Sequence, residues 1–194
     1  MQTKDQDTLK FISLVVIVCI VTHIINIMTA GSLSDFGVLP RHFGHLTGLA
    51  AYPFIHGSWG HLVSNLISFS ILAFLVSRSG VSRLIAVFVI SWVGSAIGIW
   101  IFGRMHYHIG LSGVIYGLWA YLLIYAVMYR SIKSIAIAVL VMFFYGSMVW
   151  GFFPVNQWIS YESHLFGAIS GAVTGYLYAR RDKRNKEYRD VSNI

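Results

Sequence analysis

Six apolar runs, each close to 20 residues long, constrain this chain more than any other feature. They fall near 9–30, 59–77, 82–103, 111–129, 134–153 and 162–179. About 20 apolar residues are what a helix needs to cross the hydrocarbon core of a bilayer. Inside lipid every backbone N–H and C=O must be satisfied within the segment, and for runs of this length that means helices. Only 11% of the residues are charged against 57% hydrophobic, and mean hydropathy is +0.70. A soluble domain carries about 25% charged residues, so a fold covered by water is excluded. The spacing predicts an all-α membrane protein with six transmembrane helices. The breaks SRSGVSR, YRSIKS and FPVNQWISYES hold the polar residues, Gly and Pro of turns. The second run is the weakest, since it contains His61, Ser64, Asn65, Ser68 and Ser70. The first is too long for a signal-peptide core and lacks a small-residue cleavage pattern after it, so it reads as an uncleaved span.

Charge fixes the expected orientation. With six spans both ends lie on one side. That side holds Lys4, Lys10, Arg78, Arg83, Arg130, Lys133 and the tail residues Arg180, Arg181, Lys183, Arg184, Lys186 and Arg189. The other side holds Arg41 and Arg104 alone. Twelve cations against two place both termini in the cytoplasm by the positive-inside rule. The expected organisation is a short cytoplasmic tail over 1–8, a six-helix core over 9–179 and a basic cytoplasmic tail over 180–194. The tail reads as a topology anchor against anionic headgroups rather than a nucleic-acid arm. Cys19 stands alone within an apolar run, which leaves no intramolecular disulfide to form. The outer loop Gly31–Ser58 mixes rings, small residues and apolar side chains, and is expected at the interface.

That orientation brings polar groups to one depth. The second, fourth and sixth runs all descend from the outer side. His61 and Asn65 open the second, four residues apart and on one face. Ser112 opens the fourth and His164 the sixth. Gly113 and Gly117 in the fourth run, Gly94 and Gly98 in the third, and Gly167, Gly171 and Gly175 in the sixth are the small residues that let membrane helices approach. A serine hydroxyl becomes a nucleophile when a base within hydrogen-bond reach takes its proton, and His164 has the chemistry of that base. Glu162 is two residues from His164, so its carboxylate points elsewhere on a helix and the pair would be a dyad. Tyr116, one turn below Ser112, is placed to stack on the imidazole. Asn65, His61 and the Ser112 backbone N–H are candidate donors to an oxyanion. From residue types alone, a proton or solute pathway, a metal site and simple helix glue remain alternatives.

The segments GLSG with Tyr116 following, HGSWGHLVSN and HLFGAISG, in that order, together resemble the rhomboid family of intramembrane serine proteases. The resemblance covers roughly residues 31–179. It implies a rhomboid-like bundle of six helices that hydrolyses peptide bonds in or near transmembrane segments of other membrane proteins. It implies Ser112 as nucleophile, His164 as base, Asn65 and His61 on the oxyanion side, and His56 as the earlier histidine of that segment, supporting the site. Tyr116 would stack on the base, Gly110 and Gly113 flank the nucleophile, and Gly167 and Gly171 admit close helix packing. Neither metal nor cofactor is implied. The Trp-Arg pair some members carry in the first outer loop is absent; Arg41 after Pro40 is expected in a related interfacial role. Inactive pseudoproteases of the family typically lack the serine or the histidine, and this chain has both.

Other features fit around that core. His106 and His108 lie in the third outer loop without the spacing of zinc ligands. Trp150, Phe152, Phe153 and Trp158 crowd the fifth outer break, as an aromatic belt or as a substrate gate. Expected partners are transmembrane protein substrates and the lipid bilayer, with no nucleic acid. The expected location is a bacterial inner membrane, with the site opening outward and cleavage at a small residue. A transporter would need polar groups continuing across the membrane, whereas below Asn65, Ser112 and His164 the helices turn mostly apolar. A helix-binding pseudoprotease is the other alternative.

Overall fold

The computed structural model describes residues 2–154 and 159–192, and every regular element among them is helical. Helix α1 spans Gln2–Met28, α2 is a single turn at Gly48–Ala51, α3 spans Trp59–Ser77 and α4 Val81–Phe102. Helix α5 spans Ser112–Tyr129, α6 Ile132–Tyr145 and α7 Tyr161–Ser192; a 3-10 segment, Gly146–Phe152, prolongs α6. Five segments are long and apolar enough to cross a membrane: α1, α3, α4, α5, and α6 with its 3-10 extension. The sixth run falls short of them in hydropathy because Glu162, His164 and a series of Gly, Ser and Thr sit in the first half of α7. The chain is a helical membrane bundle.

Helix α5 is the axis. Every residue from Gly113 to Leu122 is buried. A helix apolar all round has no lipid or water face to prefer and is packed on all sides. Helix α7 lies along it at backbone contact. A Cβ on Gly167 would overlap the Gly113 carbonyl, and one on Gly171 the Gly117 carbonyl. Helix α4 closes the third side. Ser91 and Ser95 sit against Gly117 and Gly113, while Gly94 and Gly98 receive Ser170 and Phe166 of α7. Small residues spaced by four thus run through all three helices, and packing rather than hydrophobic exclusion holds such contacts in lipid.

Local chemistry sets the helix ends. The Ser58 hydroxyl accepts from the His61 N–H and caps α3. Ser131 and Ser134 form a reciprocal capping box on α6. Loop Gly31–Ser58 is folded onto the protein through 3-10 turns and α2. Val38, Tyr52 and His56 are buried there, while Phe36, Phe43 and Leu46 stay exposed. Arg41 donates from its guanidinium to the carbonyls of Ile101 (2.9 Å) and Gly103 (3.0 Å), satisfying the C-terminus of α4. At the opposite end of the bundle Arg83 of α4 forks onto Asp182 of α7 at 2.6 and 3.0 Å. Tyr125 of α5 donates to the same carboxylate at 2.7 Å.

Candidate active site

The turn before α5 is built to present Ser112. Gly110 has φ +112°, a conformation that only glycine adopts without strain. Its N–H donates to the Tyr52 carbonyl at 2.8 Å. A side chain there would also strike the His61 ring. The next N–H, of Leu111, points at His56 Nε2 at 3.5 Å. His56 is fully buried, donates from Nδ1 to the Phe54 carbonyl at 3.3 Å, and stands edge-on to His61 at 4.9 Å. Burial, together with the neighbouring His61, pushes its pKa down to about 3, so the ring is neutral and its Nε2 keeps the lone pair this contact needs.

Helix α7 brings His164 across. Its Nε2 lies 2.9 Å from Ser112 Oγ. Its Nδ1 lies 2.8 Å from the Gly151 carbonyl. A carbonyl only accepts, so Nδ1 carries the hydrogen, and Nε2 of the neutral ring accepts from the serine hydroxyl. The Tyr116 ring stacks on the imidazole with centroids 4.0 Å apart and planes 7° from parallel. Its hydroxyl donates to the Met148 carbonyl at 2.7 Å. Ser112 and His164 line one cavity of about 1230 Å³, which is also bordered by His61, Asn65, Tyr116 and Met148. Ser112 opens α5, so its backbone N–H belongs to the first turn, where helix N–H groups have no intrahelical acceptor.

Asn65 reaches the same cavity but spends one amide hydrogen on its own helix: Nδ2 donates to the His61 carbonyl at 2.8 Å. Its Oδ1 is buried without a hydrogen-bond partner. Gly113, Gly167 and Gly171 occupy the α5–α7 crossing directly behind the serine and histidine. The aromatic residues of the fifth break divide. Phe152 packs edge-on against Tyr116 at 5.3 Å, whereas Trp150 and Phe153 are exposed and touch each other at 5.9 Å. Trp158 lies outside the described residues.

Several supports were not visible from the sequence. Glu162, 3% exposed, does not serve His164; it holds Arg104 through Nε at 2.7 Å, Nη2 at 3.2 Å and the backbone N–H at 3.1 Å. His108 donates from Nε2 to the Arg104 carbonyl at 2.9 Å and accepts the Ser160 hydroxyl at Nδ1, 2.6 Å away. Ser160 Oγ in turn accepts the Ser163 N–H at 3.2 Å. His106 stacks on His108 at 4.0 Å. The start of α7, one turn before His164, is therefore pinned to the loop between α4 and α5. Arg104 and Glu162 are two of the few charged residues between Gly31 and Ser163, and that scarcity was the available signal; their pairing across 58 residues was not.

A model of the rhomboid domain matches residues 43–181. An uncharacterized protein of Mycobacterium tuberculosis is 31% identical over 185 residues, covering 91% of this chain and 75% of the relative. One of Mycobacterium leprae is 33% identical over 177 residues, covering 87% and 70%. A protein of Acanthamoeba polyphaga mimivirus that carries the rhomboid name is 31% identical over 130 residues, covering 64% and 71%.

Proposed function

Since this chain belongs to the rhomboid family, we propose that it is an intramembrane serine endopeptidase working through a Ser112–His164 dyad. The observation that carries this reading is the 2.9 Å approach of Ser112 Oγ to His164 Nε2 inside a cavity. Ser112 Oγ attacks the scissile carbonyl carbon while its proton moves to Nε2. The resulting oxyanion is met by the Ser112 backbone N–H, the free Asn65 amide hydrogen and His61. The C–N bond breaks as Nε2 returns the proton to the leaving amine. A water then repeats the cycle: it attacks the acyl carbon, gives its proton to Nε2, and Ser112 Oγ leaves with that proton.

The substrate is a transmembrane segment of another membrane protein, unwound near the outer interface so that its carbonyl is free of helical hydrogen bonds. The glycine-crowded floor favours a small residue before the cut. Both termini face the cytoplasm and the cavity opens outward, a reading that the twelve-to-two distribution of cations supports. Residues 9–179 form the protease core, with α7 as the sixth crossing, flanked by the segments 1–8 and 180–194.

The test uses purified protein in liposomes with a helical membrane substrate. Ser112→Ala and His164→Ala should abolish cleavage while leaving thermal unfolding intact, and a fluorophosphonate should label Ser112 in the wild type alone. Undiminished turnover in either variant refutes the dyad.

A further inference from the structure

Two of the hydrogen bonds that orient the base group come from one segment, and it ends the least buried of the five membrane-spanning apolar segments. The Gly151 carbonyl takes the His164 Nδ1 hydrogen at 2.8 Å, and the Met148 carbonyl takes the Tyr116 hydroxyl at 2.7 Å. Both lie in the 3-10 turn Gly146–Phe152 that ends α6. Phe152 adds an edge contact to Tyr116. Only 6% of the apolar window in α6 and this turn is buried, against 61% in α5. Within α6 only Ser134 and Val141 are buried. The fit at the turn is also close: a Cβ on Gly151 would overlap Tyr116 Oη and come within 2.9 Å of His164 Nδ1.

Resting on the dyad reading, we propose that the 3-10 turn Gly146–Phe152 is a positioning element for the base, so that Ser112 is activated only while this turn is docked. Among the described residues no carboxylate reaches His164 Nδ1; Glu162 is committed to Arg104. The Gly151 carbonyl fills that place. It keeps the hydrogen on Nδ1 and the lone pair on Nε2, where it faces Ser112. When the turn leaves, Nδ1 loses its acceptor and the tyrosine loses its tether. The ring is then free to change tautomer, and a ring with its hydrogen on Nε2 has no lone pair for the serine proton. Admission of a substrate beside α6 and activation of Ser112 are consequently separate states of one element: it departs to admit and must return before the bond is cut.

A fluorophosphonate separates the two states, because it reaches Ser112 without a transmembrane helix having to enter. Ser112 Oγ displaces fluoride at phosphorus and its proton passes to Nε2, so the labelling rate reads activation alone. The full-length protein in detergent is labelled alongside three variants. Gly151→Ala, which crowds the turn off the two rings, should slow labelling roughly tenfold or more and lower kcat rather than raise KM. Tyr116→Phe, which keeps the stacking ring and loses the tether, should slow it several-fold. Phe143→Ala, on the lipid face of α6 and 80% exposed, should label at the wild-type rate. In the wild type, ¹⁵N-histidine NMR, assigned by comparison with His164→Ala, should show His164 protonated at Nδ1. Wild-type labelling of Gly151→Ala, or a His164 protonated at Nε2, overturns the proposal and leaves the dyad standing. Absence of labelling in the wild type overturns both.

Discussion

Gly167→Ala adds one methyl group at the point where the packing bears most directly on chemistry. The new Cβ would overlap the carbonyl oxygen of Gly113, the residue after Ser112. Gly167 itself lies three residues after His164, on the same face of α7. Ordinary contact for a Cβ begins near 3.4 Å, so the two helices must part by about 1 Å or more. Backbone cannot rotate away as a side chain can. The Ser112–His164 distance starts at 2.9 Å, and an added ångström takes it outside hydrogen-bond range. Overpacking of this kind destabilises by about 1–3 kcal/mol. A misplacement of about 1 Å at the reacting groups lowers rate roughly a hundredfold. The assay is kcat and KM for a fluorescent membrane-helix substrate in liposomes, with thermal unfolding measured in parallel. Gly60→Ala is the matched control, since a Cβ there meets nothing within 4 Å and the residue is already helical; its activity should stay within about twofold, because surface changes away from packed features are near neutral. If Gly167→Ala cleaves like the wild type with unchanged unfolding, the account of the α5–α7 crossing is wrong.

Other outcomes follow from the same geometry. Asn65→Ala should lower kcat roughly a hundredfold through loss of an oxyanion donor, with the unfolding temperature little changed; equal losses of both would make Asn65 structural. Arg104→Met strands the buried Glu162 carboxylate, which should lower stability by about 3 kcal/mol in detergent unfolding and slow cleavage by loosening the start of α7. Burial pushes the His108 pKa down to about 4, below the unfolded value near 6.5. Its contribution is therefore complete above pH 6.5 and lost as pH falls toward 4, on the order of 2 kcal/mol by pH 5. His108→Gln should flatten that part of the stability–pH curve, and an unaltered curve would show that His108 is not the group responsible.

The helices and much of the site could be read without coordinates, for reasons that differ. The run at 59–77 coincides with α3, and the fourth and third runs match α5 and α4 to within a residue at each end, because hydrophobic length is a one-dimensional property that lipid enforces. Helix α7 was harder. Its glycines and hydroxyls lower its hydropathy, since it is selected to touch α5 and α4 rather than lipid. Gly94 and Gly98 are legible as packing sites; Ser91 and Ser95 pack in the same way, since serine is nearly as small and shares the spacing of four. Arg83 is legible in the sequence as a topology charge; its fork onto Asp182 and the shared bond from Tyr125 depend on three helix ends meeting.

The sequence by itself determined that this chain lives in a bilayer as a helical bundle, and that Ser112, His164, Asn65 and His61 open three helices of common direction. Those properties depend on residue spacing and on hydropathy, which each segment expresses alone. Only the tertiary structure decided that Glu162 answers Arg104 and that the hydrogen on His164 Nδ1 is held by a backbone carbonyl of Gly151. Every residue carries a carbonyl, so nothing in the letter at position 151 announces one that is in use. Its partner is chosen by where the chain passes, and that is fixed by packing.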